Sequence, residues 1–378
     1  MSHNASEKDF QQSVQQFVEK EIAPDAHSVD QAGTFPWKNF HALAKQGYFG
    51  LHLPTRYGGQ GANLLDSAVV VEKVAAACAS TSTLLCTQAL ATYSILLSGN
   101  EEQKKHYLTP LAKGKVPGAF AVTEAEAGSD VANIQTSAKK HANGYMLQGR
   151  KRFISNGGEA KIYIVLAKTN PERGAKGLSL FLVEADQAGF SFGEKEQTMG
   201  VRGAVTRELI FDQVQIPEHH RLGDEGDGFG IIMNVFNRSR TLVGAQAVGI
   251  AQGALNYIRS YLKKRKQFGK PLSHFQLIQN TLAEMATEIE AARLLVRQAA
   301  QKIDQGEQNV AMYASMAKSY ASDVAMKVTT EAVQLAGGYG YTQKAPLERM
   351  MRDAKVTQIY DGTNQIQRII IARQLLKD

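Results

Sequence analysis

Along the first third of the chain, apolar residues return at helical spacing. Phe10, Val14, Phe17, Val18 and Ile22 share one face, and Pro24 closes that run. After the Pro/Gly-rich connection "LPTRYGGQG" at 53–61, helices are predicted over 64–79, 83–98 and 101–112, with Asn100 before "EEQ" reading as a cap. Near Pro117 the period falls to two. "GAFAVTE", "SAKKHANGYMLQGRKRFIS", "AKIYIVLAK", "LSLFLVEA" and "TRELIFDQVQIP" read as short strands, with a hairpin turn at "ANG", 142–144. From about 227 the helical period returns in longer segments, where Ile278, Leu282, Met285, Ile289, Leu295, Val296 and Ile303 form one apolar stripe. Helices of that length pack as bundles, often across a subunit interface. The pattern predicts a mainly α protein with a central antiparallel β domain: an N-terminal helical domain (1–117), a middle β domain (118–222) and a C-terminal bundle of four-helix type (223–378).

Composition narrows the function. With 43% hydrophobic and 21% charged residues, the 378-residue chain has the make-up of a globular protein with more than one core. The net charge of +7 suits polyanionic ligands, but "KKRKQFG" at 263–269 is the one dense basic run, so a nucleic-acid partner is not expected. Two cysteines, Cys78 and Cys86, in an apolar stretch read as buried thiols in a reducing compartment. There is no apolar run long enough for a membrane span and no signal-peptide core in "MSHNASEKDF", so a cytoplasmic location is expected. His219–His220 lacks metal-ligand spacing, and no metal site is expected. The chain also lacks G-x-G-x-x-G, the phosphate-binding G-x-x-x-x-G-K-[ST] and a G-x-S-x-G elbow.

Four stretches stand out from plain structure. "AVTEAEAGSD" at 121–130 ends a strand with exposed amides suited to an anion or a heteroaromatic ring. "RFISN" at 152–156 sets Phe153 two residues before the Ser155 hydroxyl. "RKQFG" at 265–269 offers a guanidinium fork for pyrophosphate, and "QLAGGYGY" at 334–341 permits close backbone approach. A fifth, "QIYDGTNQIQ" at 358–367, holds Asp361 before a glycine. By itself it reads equally as an Asp-Gly turn or as a placed carboxylate.

In this order and spacing, "VTEAEAGSD", "RKQFGKPLSHFQ" and "QLAGGYGY…RMMRDAKVTQIYDGT" closely resemble the acyl-CoA dehydrogenase family over essentially the whole chain. The resemblance implies that family's fold, with a barrel-like middle domain, bound FAD, and oxidation of the α–β bond of an acyl-CoA to a trans-2-enoyl-CoA. It also implies a homotetramer (a dimer of dimers) and an electron-transfer flavoprotein as acceptor. By the same resemblance Phe120 to Ser129 follow the flavin ring, with Val122 and Thr123 at its pyrimidine edge and Ser129 also facing the acyl-CoA. Phe153 stands where relatives have a tryptophan over the flavin, and Ser155 supplies the hydroxyl near N5. Arg265, Gln267, Phe268 and Gln276 match contacts to a neighbouring subunit's FAD. Gln334, Gly337, Gly338, Thr363 and Gln365 match further FAD contacts. Asn237 and Arg240 match a segment touching the CoA moiety, and Gly362 a substrate contact beside the base.

Asp361 falls where most of the family has a catalytic glutamate, while the base position of a minority branch is Ser239, which cannot serve. The chemistry agrees: removing an α-proton needs a carboxylate over that carbon, and a desolvated acid is a stronger base. Aspartate is shorter by about 1.5 Å. A branch using aspartate acts on cyclic acyl-CoAs, so a bulky or alicyclic acyl group enters the range of substrates. Three alternatives stay open: an enoyl-CoA reductase, an enzyme for carrier-protein thioesters, and a non-catalytic flavin-binding assembly scaffold.

Overall fold

The computed structural model describes residues 3–377, with side chains described from Lys8 onward. The first apolar stripe folds as α1 (His3–Phe17), but Pro24 does not end it cleanly. A single π turn (Val18–Ile22) and a 3₁₀ turn (Ala23–Asp25) lead straight into α2 (Ala26–Ala32). Pro24 lies at the start of the 3₁₀ turn, where a missing N–H is tolerated. After α3 (Trp37–Lys45), α4 (Leu64–Ala77) opens on a capping box between Asn63 and Asp66. A second box, Asn100 with Gln103, starts α6 (Glu101–Gln103), which passes through a π turn into α7 (Thr109–Ala112).

Between them, α5 (Ala79–Ser98) runs buried on every side from Ala79 to Ile95. Its hydroxyls return to the preceding turn, Ser82 donating to Ala79 O at 2.8 Å and Thr92 to Gln88 O at 2.9 Å. That is how a helix rich in Ser and Thr stays satisfied in a core.

Strands begin at Gly118. The order is β1 (Gly118–Ala121), β2 (Ser137–His141), β3 (Gly144–Ser155), β4 (Ile162–Lys168), β5 (Leu178–Glu184), β6 (Phe190–Lys195), β7 (Thr206–Pro217) and β8 (Arg221–Leu222). They form one eight-stranded sheet ordered β6-β7-β3-β2-β4-β5-β8, with β1 added on β4. The expected hairpin turn joins β2 to β3, with His141 opposite Gly144. The sheet is antiparallel but for β1, which pairs parallel with β4, and the single β2–β4 pair. Pattern alone does not fix that direction, because β4 is buried on both faces.

The two faces of β4 and β5 serve two cores. Ile162, Ile164 and Leu166, with Leu178, Leu180 and Leu182, join the core of the helical domains. Tyr163, Val165, Ala167, Phe181 and Val183, one residue out of phase, form the sheet's own core.

The last third is the long-helix bundle: α8 (Gly228–Lys264), a small hairpin of β9 (Lys266–Gln267) and β10 (Lys270–Pro271), α9 (Gln276–Asp304) and α10 (Val310–Ala336). The shorter α11 (Leu347–Thr357) and α12 (Asn364–Leu375) follow. Helix α8 is the spine, packing on α4, α5, α9, α10 and α11. At Gly249 and Gly253 an added Cβ would lie 2.2 Å from the carbonyls of Glu72 and Ala76, so only glycine lets α8 and α4 approach this closely.

Candidate active site

The turn between α11 and α12 carries Asp361 with a left-handed backbone, φ +54°, followed by Gly362 at φ +91°. Such a conformation in a non-glycine residue persists only where surroundings hold it. Here they do. Arg240 Nε donates to Asp361 O at 3.3 Å, and Gln367 Nε2 donates to the carbonyls of Asp361 (3.1 Å) and Gly362 (2.9 Å). Lys318 Nζ donates to Gly362 O and to Asn364 Oδ1, both at 2.8 Å. The Asp361 carboxylate accepts the Ser239 hydroxyl. Burial raises the pKa of Asp361 above the usual carboxylate range, and Ser239, Lys318 and Arg240 pull it only part of the way back. Thr363 caps α12, its hydroxyl accepting from Ile366 N at 3.4 Å, while Gln365 faces solvent on the first turn.

The second element is the loop leaving β1. Phe120 packs edge-on to Phe236 at 5.7 Å, and Val122 is buried. Thr123 is half-buried, and Ser129 is exposed beside Gly128, around whose absent Cβ nothing lies within 4 Å. A buried ion pair sets the loop from behind. Lys151 Nζ donates to Val122 O and to Glu124 Oε1, both at 2.9 Å, and Glu124 also accepts the amides of Gln135 and Thr136. Burial pulls Lys151 down to about 8 against the opposing pull of Glu124. Burial alone would raise Glu124, but Lys151 and the amides hold it below the usual range.

Next to Lys151, strand β3 takes one extra residue relative to β7: Lys151 faces Leu209 and Ile154 faces Arg207. That bulge turns Phe153 outward at φ +59°, leaving it 55% exposed with the Arg152 guanidinium 4.9 Å over its ring. Ser155 follows, paired with Thr206.

A cleft of about 550 Å³ opens at the start of α8, lined by Leu97, Lys176, Phe229, Asn234 and Arg238 among others. Arg238 also lies over Tyr93 at 5.5 Å, and Tyr93 stacks on His52 at 4.2 Å. Burial and Arg238 pull His52 down to about 3, which keeps it neutral. Asn237 and Arg240 are both buried, and Asn237 Oδ1 has no partner.

The remaining expected residues lie elsewhere. Arg265 caps the far end of α8, about 40 Å from Ser239 at about 1.5 Å rise per residue. Around it Gln267, Phe268 (93% exposed) and Gln276 face solvent. Gln334, Gly337 and Gly338 are exposed at the end of α10, and an added Cβ on either glycine would meet nothing within 4 Å. Tyr339 stacks on Tyr261 at 5.4 Å, so this turn and the α8 terminus share one end of the bundle.

Comparison with known proteins places the chain. Three family descriptions match almost all of it: "Acyl-CoA dehydrogenase, N-terminal domain" over residues 4–115, the middle domain over 119–214, and the C-terminal domain over 226–376. A Mycobacterium leprae protein named probable acyl-CoA dehydrogenase fadE25 is 46% identical over 365 residues, covering 97% of this chain and 94% of its own length. A cyclohex-1-ene-1-carbonyl-CoA dehydrogenase of Syntrophus aciditrophicus is 43% identical over 371 residues, 98% and 90%. The solved butyryl-CoA dehydrogenase of Megasphaera elsdenii superposes with a TM-score of 0.95 at 43% identity, covering 98% of both chains. The chain belongs to the acyl-CoA dehydrogenase family. It is an oxidoreductase acting on CH–CH bonds, and FAD is its cofactor.

The residues fit a flavin: an open strand-end loop at Gly128 and an outward aromatic at Phe153. Among the described residues no cluster of His, Cys, Asp and Glu suits a metal, and no helix is long and apolar enough to cross a membrane.

Sequence reasoning missed Lys318, Gln367, the Lys151–Glu124 pair and the part Ser239 plays. A signal for Lys318 exists, since it shares a helical face with Ala314, Ala321 and Ala325, all buried.

Proposed function

We propose that the chain oxidises the α–β bond of an acyl-CoA thioester to the trans-2-enoyl-CoA, with Asp361 as the base that takes the α-proton. The observation that carries this reading is the state of Asp361: desolvated, raised in pKa, and fixed by contacts from α8, α10 and α12. A carboxylate so held is a stronger base toward a carbon-bound proton than one in water. Lys176 and Arg238 at the mouth of the neighbouring cleft give phosphate groups two cationic neighbours, and Asn237 and Arg240 lie on the same turn of α8. When bound, FAD supplies the hydride acceptor that side chains lack. Phe120, Val122, Thr123, Ser129, Phe153 and Ser155 would line it, with Thr363 and Gln365 from the base loop.

The cluster at Arg265, Gln267, Phe268, Gln276, Gln334, Gly337 and Gly338 serves the flavin of a second chain, because its own site lies too far along α8. That geometry supports a second chain beside the first, and the homotetramer built as a dimer of dimers is what the resemblance implies. Electrons leave to an electron-transfer flavoprotein, as the resemblance implies.

The shorter reach of aspartate supports an acyl group that brings its α-carbon toward the loop, a branched or alicyclic one. The likeness to the Syntrophus enzyme points the same way. A panel of straight, branched and cyclic acyl-CoAs, read by bleaching of the bound flavin, tests both levels. Bleaching by a branched or cyclic thioester in preference to butyryl-CoA is expected. No bleaching by any acyl-CoA rejects the activity.

A further inference from the structure

We propose that Lys318 is the buried counter-charge of Asp361, a positioning residue that both clamps the base loop and sets the pH range in which the base is ionised. The inference rests on the reading of Asp361 as the base and goes beyond it. Lys318 is fully buried in α10, and its two hydrogen-bond acceptors, Gly362 O and Asn364 Oδ1, are neutral. A buried ammonium with neutral acceptors is costly unless a carboxylate nearby balances it.

Two carboxylates act on Lys318 through space. One is Asp323, further along α10, but it is engaged by Arg368 of α12 at 2.7 Å. The other is Asp361, which precedes the very carbonyl Lys318 holds. From α8, Arg240 opposes the charge of Lys318 and favours that of Asp361, while Ser239 donates to the carboxylate. From α5, the Cys86 thiol is pushed upward by burial and by Asp361, and beside the base Tyr360 is pushed upward too. With Asp323 and Arg368 paired off, the enclosure holds one carboxylate, Asp361, between two buried cations. Burial draws Lys318 down to about 7, with Asp361 opposing that fall. The stabilisation is mutual, since a coupling between two sites is reciprocal.

The first test is a thermal cycle on the FAD-loaded protein with Lys318→Met in two backgrounds. In the wild type the substitution lowers Tm. In Asp361→Asn, where Lys318 has lost its balancing charge, the same substitution leaves Tm unchanged or raises it. Equal losses in both backgrounds reduce Lys318 to a hydrogen-bonding anchor and overturn the proposal. If Lys318→Met alone does not fold, the double variant still does; a double variant that also fails overturns it.

The second test is the pH profile of flavin reduction. Removing the cation moves the acid limb to higher pH, so the rate on that limb falls about tenfold for each unit of displacement. Lys318→Gln, which keeps a donor and loses the charge, shows the same displacement. A wild-type limb in Lys318→Gln overturns the assignment. The thermal cycle reads the coupling even if another group is the base, whereas an acid limb that survives in Asp361→Asn rejects the base itself, so the two failures are separable.

Discussion

At the N-terminal end of α8, Ser239 and Arg240 are buried and engage the loop of Asp361, whose two carbonyls each take two donors. At the C-terminal end of the same helix, Arg265, Gln267 and Phe268 stand in solvent on a two-strand hairpin. One end is tied through the base loop to two other helices, α10 and α12. The other carries an exposed guanidinium, amide and aromatic ring with local contacts only, Phe268 to Phe275 at 6.2 Å and Gln267 to Lys266 O. On the proposed reading this divides the machinery: the base is fixed by the chain that carries it, and part of the flavin site is lent to another chain.

The largest effect expected is at the closed end. Positioned general bases contribute about 10²–10⁴ in rate. Asp361→Asn keeps the shape, so stopped-flow flavin reduction falls by that factor while FAD and acyl-CoA still bind. Equal rates in the two proteins would leave the turn at 361 as only a turn. Next comes the wall behind the flavin loop. Lys151→Met strands Glu124 in the core, and breaking a buried pair costs about 3–5 kcal/mol. Denaturant unfolding reads that loss directly, and a change below about 1 kcal/mol would mean the pair does not set the loop.

The two ends differed as much in legibility as in structure. The exposed motifs, "RKQFG" and "QLAGGYGY", are each weak alone and stood out only by their joint order and spacing. The helix, strand and bundle layout followed from period alone, and Asn100 was readable as a cap. The bulge that ejects Phe153 was not readable, because its cause is the pairing of β3 with β7, far apart in sequence. The tie between Ser239 and Asp361 spans 122 positions and depends on how α8 meets the last turn. Lys318 carries no motif of its own, and only the face it shares with three buried alanines marks it.

Smaller effects sharpen the comparison. Losing a charged hydrogen bond costs about 1.5–3 kcal/mol. Arg265→Ala therefore weakens FAD binding by about one to two powers of ten, with flavin reduction near normal once FAD is saturating. Unchanged affinity in an intact oligomer would return that hairpin to the solvated surface. Ser239→Ala has the smallest effect. Burial raises Asp361 and the hydroxyl lowers it, so its removal raises the pKa further. The ionised base then appears at higher pH, and the acid limb of flavin reduction moves alkaline with the plateau little changed. A limb that stays in place or moves to lower pH would show that the hydroxyl does not favour the ionised carboxylate.

The division of labour between the two ends is tested most directly by mixing two damaged chains. Asp361→Asn and Arg265→Ala, each poorly active at limiting FAD, are co-expressed and the hybrids isolated. If Arg265 serves the partner's flavin, one site in each hybrid pair joins an intact Asp361 to an intact Arg265, and activity returns well above either parent. If each chain completes its own site, every site in the hybrid carries one lesion, and activity stays at the level of the parents.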